Sequence, residues 1–362
     1  MSVLTFKIKH NRDFTKELYK AGRIAKFSLR THSRSSKNVK QFGLPSAISN
    51  QILKKYGTNK KAKKLSSVKL TIPRQGIKLL ENKIIKIPCL KLELHYNFNK
   101  EFIQIKQIEL SNKYAFVSVE IQDQPLQSVI HYLGVDRNTT GHCAVVGIPT
   151  TGKIYKLGKR AFHIHRKYKQ IRKHLQEKDA KLKLKKISKR EKNIIRDINH
   201  KISRKIVQIA KENKCGIKLE KLSGIRKRGD NKTKKNKSGE SFKSSINSWE
   251  FYQLQSMIEY KSRICGIPVV YIAPQYTSQK CSKCGLIGNR SKKKFSCPLC
   301  GHVDHADANA AFNIALAPPI NIEKNNEKEL KHDQSIVDRD IIERNTDIRQ
   351  LETRIELNAQ CA

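Results

Sequence analysis

The sequence lacks any long apolar run. No stretch of its 362 residues approaches the roughly 18 consecutive apolar residues that a membrane-spanning helix needs. The chain begins MSVLTFKIKH, which has none of the apolar character of a secretory signal peptide. We therefore expect a cytoplasmic protein that has no membrane as a partner.

Acidic residues are scarce relative to basic ones. The chain has 31 Asp and Glu residues against 75 Lys and Arg residues, which gives a formal net charge of +44. Such a charge repels itself in a compact state unless a polyanion neutralises it. Nucleic acid is the favoured partner, because counterions released from phosphates drive the binding of Lys and Arg. A membrane surface is the alternative polyanion, but no amphipathic anchor or lipidation signal accompanies the charge, which by itself suits a ribosomal protein equally well.

Four of the nine cysteines form two Cys-x-x-Cys pairs: Cys281 with Cys284, and Cys297 with Cys300. This spacing is typical of a tetrahedral Zn²⁺ site with four thiolate ligands. Gly285 and Gly301 follow the two pairs, where a tight turn favours a positive φ. Two disulfides are the alternative, and a reducing cytoplasm disfavours them. The other cysteines are scattered singly and are expected to be small core or surface residues: Cys89, Cys143, Cys215, Cys265 and Cys361.

Apolar patterning in the N-terminal third predicts strands together with two helices. Leu4, Phe6 and Ile8 alternate with polar residues, as in a half-buried strand. Residues 13–31 and 45–57 have a helical pattern. Four further runs are rich in strand-forming residues: 69–73, 84–96, 101–110 and 114–121. We expect these strands to close a small barrel that a helical insert interrupts, with exposed basic residues that suit nucleic acid.

A second pattern begins near residue 128 and predicts a mixed α/β domain. Apolar runs at 129–136, 142–148 and 153–157 indicate a three-stranded meander. Long helices follow over 161–213, with isoleucines at steps of three and four on one face: Ile194, Ile198, Ile202, Ile206 and Ile209. Later segments are predicted in this order: a strand at 214–220, a mobile charged loop at 225–245, a helix at 246–266, a strand at 267–273, a helix from about 305 to 316, and a weakly ordered acidic tail.

Three acidic residues stand at the ends of these elements: Asp136, Glu220 and Asp307. Strand ends at one edge of a sheet can bring such groups together, and converging carboxylates suit Mg²⁺, which takes oxygen ligands. Two such ions activate a water and stabilise the leaving oxygen of a phosphodiester. Each acid also has a plainer interpretation, as a turn residue, a surface charge or a helix-start charge favoured by the macrodipole. Asp304 is the main alternative to Asp307.

Four segments together carry a resemblance to a known family. They are GVDRNT at 134–139, IKLEKLSGI at 217–225, YKSRICGIPVVYIAPQYTSQKCSKCG at 260–285 and CPLCGHVDHADANAAFNIA at 297–315. These segments resemble the TnpB proteins of insertion sequences, also called OrfB transposases, which are similar to the type V CRISPR effector nucleases. The resemblance covers roughly residues 129–316 and is looser before them.

The resemblance implies an RNase H-like (RuvC-like) nuclease domain with an inserted zinc ribbon. The catalytic, Mg²⁺-binding acids would be Asp136, Glu220 and Asp307. A β-barrel-like wedge domain with a helical recognition insert would precede this domain. The expected boundaries are 1–127 for the wedge, 128–276 for the first part of the nuclease core, 277–303 for the ribbon, 304–316 for the last core helix and 317–362 for the tail.

The resemblance also implies an RNA-guided, Mg²⁺-dependent DNA endonuclease, encoded by a transposable element and acting at the nucleoid of a prokaryote. Its partners would be a guide RNA and double- and single-stranded DNA, with one monomer for each guide RNA. In that class base pairing reads the sequence while the protein holds the heteroduplex by its shape. The loop at 225–245 is a candidate lid. Three alternatives stay open: an RNA-guided DNA-binding regulator without cleavage, a strand-joining transposase, and a structural zinc-ribbon RNA-binding protein.

Overall fold

The computed structural model describes residues 1–58, 65, 67–138, 141–222 and 251–320. The described residues fall into two compact units, an N-terminal unit within Met1–Gln122 and a C-terminal unit within Asp123–Asn321. The predicted loop at 225–245 and nearly all of the predicted tail lie outside the described residues. In the part that is described, no helix is long and apolar enough to cross a membrane.

The N-terminal unit contains two sheets and two α-helices. Its elements are β1 (Ser2–Lys9), α1 (Thr15–Thr31), α2 (Ser46–Gly57), β2 (Leu70–Pro73), β3 (Lys78–Leu80), β4 (Ile84–Ile87), β5 (Leu92–His95), β6 (Gln104–Leu110) and β7 (Tyr114–Ile121). One antiparallel sheet has the order β1-β7-β6-β2, and β3, β4 and β5 form the second. The two predicted helices are confirmed. Within these residues the strands that were expected to close a small barrel pair as two separate sheets.

The strand-rich run at 84–96 contains a turn that the pattern did not reveal. Pro88 begins a short 3₁₀ helix, and Lys91 ends it with a φ of +49°. Proline has no backbone N–H and a fixed φ, so a strand is not continued through it. The chain therefore folds back, and Ile85 of β4 lies opposite Leu94 of β5.

The C-terminal unit is built on a five-stranded mixed sheet. Its elements are β8 (Tyr132–Arg137), β9 (Ala144–Ile148), β10 (Lys153–Leu157), α3 (Lys159–Glu177), α4 (Lys181–Glu212), β11 (Gly216–Glu220), α5 (Phe251–Ile264), β12 (Val269–Ile272), β13 (Asn289–Ser291), β14 (Lys294–Ser296), β15 (Val303–His305) and α6 (Ala306–Leu316). The large sheet has the order β10-β9-β8-β11-β12. Strands β8, β9 and β10 form the predicted meander, and β11 runs parallel to both β8 and β12. The mixed α/β class is therefore confirmed.

Helix α4 contributes an isoleucine stripe to the core of this unit. Four of the five predicted isoleucines are buried, but Ile194 is only partly buried and its neighbour Ile195 is 2% exposed. On the α3 side, the buried carboxylate of Glu191 accepts hydrogen bonds from His165 and Arg172. This polar anchor joins the two helices, which otherwise carry mostly basic side chains on their exposed surface.

Helix α6 lies directly on the backbones of β8 and β9. Gly134 of β8 is paired with Gly147 of β9, so two positions without a side chain stand next to each other beneath the helix. A Cβ atom on Gly134 would lie 2.0 Å from the carbonyl oxygen of Ala311, and one on Gly147 would lie 3.2 Å from the Ala311 Cβ. The backbone of α6 approaches Gly134 at Ala311 and Ala315, so the helix is held close to β8.

We predict that Gly134→Ala destabilises the protein by about 3 kcal/mol, or roughly 10 °C in the unfolding midpoint, because the added methyl group pushes α6 from the sheet. Thermal unfolding followed by circular dichroism measures this. The control is Gly22→Ala in α1, where a Cβ meets nothing within 4 Å and helix propensity improves by up to about 1 kcal/mol. Equal midpoints for Gly134→Ala and the wild type would show that the helix is not constrained in this way.

Candidate metal centres and active site

The four cysteines of the Cys-x-x-Cys pairs converge on one point. Their Sγ atoms all lie within 4.8 Å of one another, at 3.6 Å for Cys281 and Cys300 and at 3.5 Å for Cys284 and Cys297. Disulfide sulfurs are about 2.05 Å apart, so these are separate thiols. Four sulfurs at about 2.3 Å from one ion in a tetrahedron would be roughly 3.8 Å apart. The cluster is therefore able to hold a metal ion.

The two glycines after the cysteine pairs have the predicted backbone conformation. Gly285 has a φ of +78° and Gly301 a φ of +68°. Their amides donate to the carbonyls of Cys281 at 2.9 Å and Cys297 at 3.1 Å, which closes each turn around its sulfurs. The backbone N–H of Cys300 lowers the pKa of Cys297 to about 7, whereas the pKa values of Cys284 and Cys300 are raised by burial and by hydrogen bonds from neighbouring thiols.

Two asparagines of α6 attach the first of these turns to the helix. The Asn309 side chain donates to the carbonyl of Lys280 at 2.7 Å and accepts from the amide of Ser282 at 2.8 Å. Asn313, one helical turn later, donates to the carbonyls of Thr277 at 2.8 Å and Lys280 at 2.7 Å. The ribbon and the last helix therefore form one connected piece.

Strand alternation places two of the predicted acids on the face that α6 covers. Gly134 faces α6, and its register partner on β11, Lys218, donates to the carbonyl of Ala317 at the end of α6 at 2.6 Å. Side chains two residues apart on a strand share a face. Asp136 and Glu220 therefore lie on that same face, toward the carboxyl ends of two parallel neighbouring strands.

All three predicted acids are brought near one another, and all are buried. Burial raises the pKa of Asp136 to about 7, and the negative charges of Glu220 and Asp307 add to the rise. Burial also raises the pKa of Glu220. Asn138 donates to Asp136 at 2.8 Å, and the Thr277 hydroxyl donates to Glu220 at 2.5 Å. These two hydrogen bonds, with the positive charges of Arg290 near Asp136 and of Arg137 near Glu220, only partly offset the rise in pKa.

Two basic side chains of the β13–β14 hairpin bind the third acid. Arg290 lies 3.2 Å from one oxygen of Asp307, and Lys293 lies 2.5 Å from the other. The Asp307 side chain is 1% exposed, whereas those of Arg290 and Lys293 are 30% and 39% exposed. The amide of Ala306 also donates to the Lys293 carbonyl at 2.8 Å. The two cations therefore lie between a buried carboxylate and solvent.

Asp304, the alternative to Asp307, is engaged within the ribbon. It stands on β15, and its side chain accepts from the amide of His305 at 2.6 Å and lies 3.9 Å from the ring of His302.

Sequence reasoning did not single out Thr277, Arg290 or Lys293. Thr277 follows β12 in an irregular segment, so no periodicity indicates its direction. Lys293 lies within a run of three lysines whose members are equivalent in composition. The β13–β14 hairpin and its attachment to α6 distinguish Lys293 from its two lysine neighbours. The sequence alone gives no direct signal of that contact.

Similar proteins are found for the region that carries this site. A family model described as "Cas12f1-like, TNB domain" matches residues 251–314, from α5 into α6. The CRISPR-associated endodeoxyribonuclease Cas12f1 of Sulfoacidibacillus thermotolerans is 43% identical over 122 residues, which are 33% of this chain and 26% of that protein. A TnpB-like protein of Methanocaldococcus jannaschii is 34% identical over 164 residues, which are 44% of this chain and 57% of that protein. The chain thus spans about a quarter of the first relative and little more than half of the second.

A solved structure has a similar fold over most of the chain. The cryo-EM structure of a Cas12f1–sgRNA–target DNA complex matches with a TM-score of 0.58 over 83% of this chain and 82% of that chain, at 19% identity. The likeness at this identity concerns the fold. The sequence matches show that this part of the chain is similar to the TnpB-like proteins and to the Cas12f endodeoxyribonucleases, which is the resemblance that its four motif segments predicted.

Proposed function

We propose that this chain is an RNA-guided, Mg²⁺-dependent DNA endonuclease encoded by a transposable element. The observation that carries the proposal is that Asp136, Glu220 and Asp307 are all less than 10% exposed and that the charges of Glu220 and Asp307 both act on Asp136. Similar proteins over this region bear the name endodeoxyribonuclease. A protein that only bound nucleic acid would have no need to bury three like charges together.

The acids fit Mg²⁺ on the chemistry of their donor atoms. Carboxylate oxygens are hard ligands, and burial together with the charges of Glu220 and Asp307 raises the pKa of Asp136, a penalty on its charged form that a divalent cation would offset. Mg²⁺ held by these residues would supply Lewis-acid stabilisation and an activated water, in the two-metal manner. The four thiols fit Zn²⁺ on the spacing of their sulfurs, and we assign that ion a structural role.

The surrounding side chains have defined tasks in this proposal. Asn138 and Thr277 hold the carboxylates of Asp136 and Glu220 in fixed orientations. Burial of the acids excludes bulk water from their inner side. Arg290 and Lys293 place positive charge on the solvent side, where a DNA phosphodiester would approach, so they would attract the backbone and orient it.

The partners and domains follow from the same proposal. A guide RNA and its double- or single-stranded DNA target would neutralise the net charge of +44. The order of the five-stranded sheet supports a RuvC-like, RNase H-type core over 128–276 and 304–316, with the ribbon at 277–303. Residues 1–127 would be the wedge, with α1 and α2 as its helical insert. We further propose that one copy of the protein binds each guide RNA and that the complex acts at the nucleoid.

We predict that Asp136→Ala lowers DNA cleavage by roughly a thousandfold or more, because an acid of the metal site is lost. Binding of RNA and DNA should stay nearly intact. The test uses the full chain purified with its co-expressed RNA and a plasmid that carries the matching target, with cleavage read on gels and binding by filter retention. Asp304→Ala is the matched control and should cut within about tenfold of the wild type. Undiminished cleavage by Asp136→Ala would remove the acid from the mechanism.

We predict that Asp136→Asn stabilises the magnesium-free protein increasingly between pH 4 and pH 7. The pKa of Asp136 rises from 3.8 to about 7 on folding, so the folded state binds this proton more tightly and the wild type loses stability as the pH rises through that window. The asparagine has no such proton to lose. Thermal unfolding from pH 4 to pH 8 measures the difference, which excess Mg²⁺ should abolish.

The control for this pH experiment is Asp197→Asn on α4. The hydrogen bond from Lys201 lowers the pKa of Asp197, so its replacement should bring no stability gain as the pH rises. An Asp136→Asn curve parallel to the wild type at every pH would contradict the buried-charge account.

We predict one tightly bound Zn²⁺ per chain, lost in Cys297→Ser because a tetrahedral thiolate site needs its fourth ligand. Elemental analysis after gel filtration measures the metal. Cys143→Ser is the matched control, since Cys143 is buried with its thiol 3.0 Å from the Gly158 carbonyl, and it should keep the full zinc content. Equal zinc in the two variants would show that the metal is held elsewhere.

A further inference from the structure

Arg137 joins the two central parallel strands at the point where their backbone pairing stops. The pairing of β8 with β11 ends at Val135 and Leu219, one residue before Asp136 and Glu220. The Glu220 carbonyl accepts a hydrogen bond at 2.6 Å from Nη2 of Arg137. A side chain thus continues the link between the strands at the level of the two acids.

The guanidinium is anchored from a second side. Its Nη1 donates to the side-chain oxygen of Gln255 on α5 at 2.7 Å. The amide nitrogen of Gln255 in turn donates to the Tyr271 hydroxyl at 2.9 Å and to Glu259 at 3.0 Å, and the Tyr271 hydroxyl donates to Glu259. Arg137 is 4% exposed, so this network holds a planar group inside the protein, on the sheet face opposite Asp136.

A buried guanidinium is costly, which calls for a reason beyond packing. Burial lowers the pKa of Arg137, while the negative charges of Glu220, Glu259 and Asp136 act in the other direction. Among the residues that the structure describes, its Nε has no hydrogen-bond partner, so the group is not fully satisfied there. An apolar side chain of similar volume would fill the space at lower electrostatic cost. An apolar side chain could not supply the two rigidly oriented donors that connect the Glu220 backbone to α5.

We propose that Arg137 is a positioning residue of the metal site, which sets the separation of the Asp136 and Glu220 carboxylates from behind the sheet. The inference rests on the proposed function, because it assigns a purpose to that separation. Arginine suits the task since its donors have a fixed geometry, whereas lysine is a point charge on a flexible stem. Residues that orient metal ligands in this way typically change metal affinity or activity by 10–100-fold when replaced.

The test is Mn²⁺ binding by the full, zinc-loaded chain without nucleic acid, followed by the loss of the free-ion electron paramagnetic resonance signal. Arg137→Lys keeps the positive charge, so it separates geometry from electrostatics. We expect its Mn²⁺ affinity to fall about tenfold, and kcat for cleavage to fall by a similar factor with KM unchanged. Gln255→Leu keeps Arg137 and removes its second anchor, and should show a smaller loss in the same direction.

Lys218→Met is the matched control, since it removes a buried base of the same sheet that bonds to the backbone carbonyl of Ala317. It should lower the unfolding midpoint and leave Mn²⁺ affinity unchanged. The inference is overturned if Arg137→Lys and Gln255→Leu both bind Mn²⁺ with wild-type affinity. It is also overturned if Lys218→Met loses as much Mn²⁺ affinity as they do. Absence of Mn²⁺ binding by the wild type would instead refute the proposed metal site itself.

Discussion

The close approach of α6 to the sheet is the constraint on which the rest of the candidate site depends. Gly134 and Gly147 remove two side chains from neighbouring strands, and Ala311 fills the space that they leave. Without this contact, the start of the helix would stand a side-chain layer farther from the sheet. Asp307 would then lie too far from Asp136 for their charges to interact. Each acid would be an isolated buried carboxylate, and burying an isolated charge is costly.

The electrostatics of the site are unbalanced in a way that suits a metal-dependent activity. Asp136 and Glu220 receive hydrogen bonds from Asn138 and Thr277, whereas Asp307 forms ion pairs with Arg290 and Lys293. Like charges that are buried together oppose folding. A fold that keeps such an arrangement loses stability in its metal-free form and regains it when a cation binds. Burial raises the pKa of Asp136, and the charges of Glu220 and Asp307 add to the rise.

The sequence predicts what local patterns determine, and it does not reveal contacts made by single side chains. Period-two alternation locates the meander, and turn chemistry predicts the positive φ of Gly285 and Gly301. The three acids stand at element ends; strand alternation places Asp136 and Glu220 on one face, and the packing of α6 against that face brings Asp307 toward them. Pro88 itself signals the turn within residues 84–96, but the strand-forming residues around it mask that signal. The choice of Lys293 over its two lysine neighbours depends on hairpin geometry, which composition does not encode.

The position of the ribbon between β12 and α6 links its cysteine cluster to the acids. The asparagines Asn309 and Asn313 fasten the first cysteine turn to the helix that carries Asp307. The same ribbon supplies Arg290 and Lys293, the cations that balance that acid. A ribbon that lost its fold would therefore release both the anchor of α6 and the charge that offsets Asp307. Its contribution is electrostatic as well as structural, although none of its cysteines touches the acids.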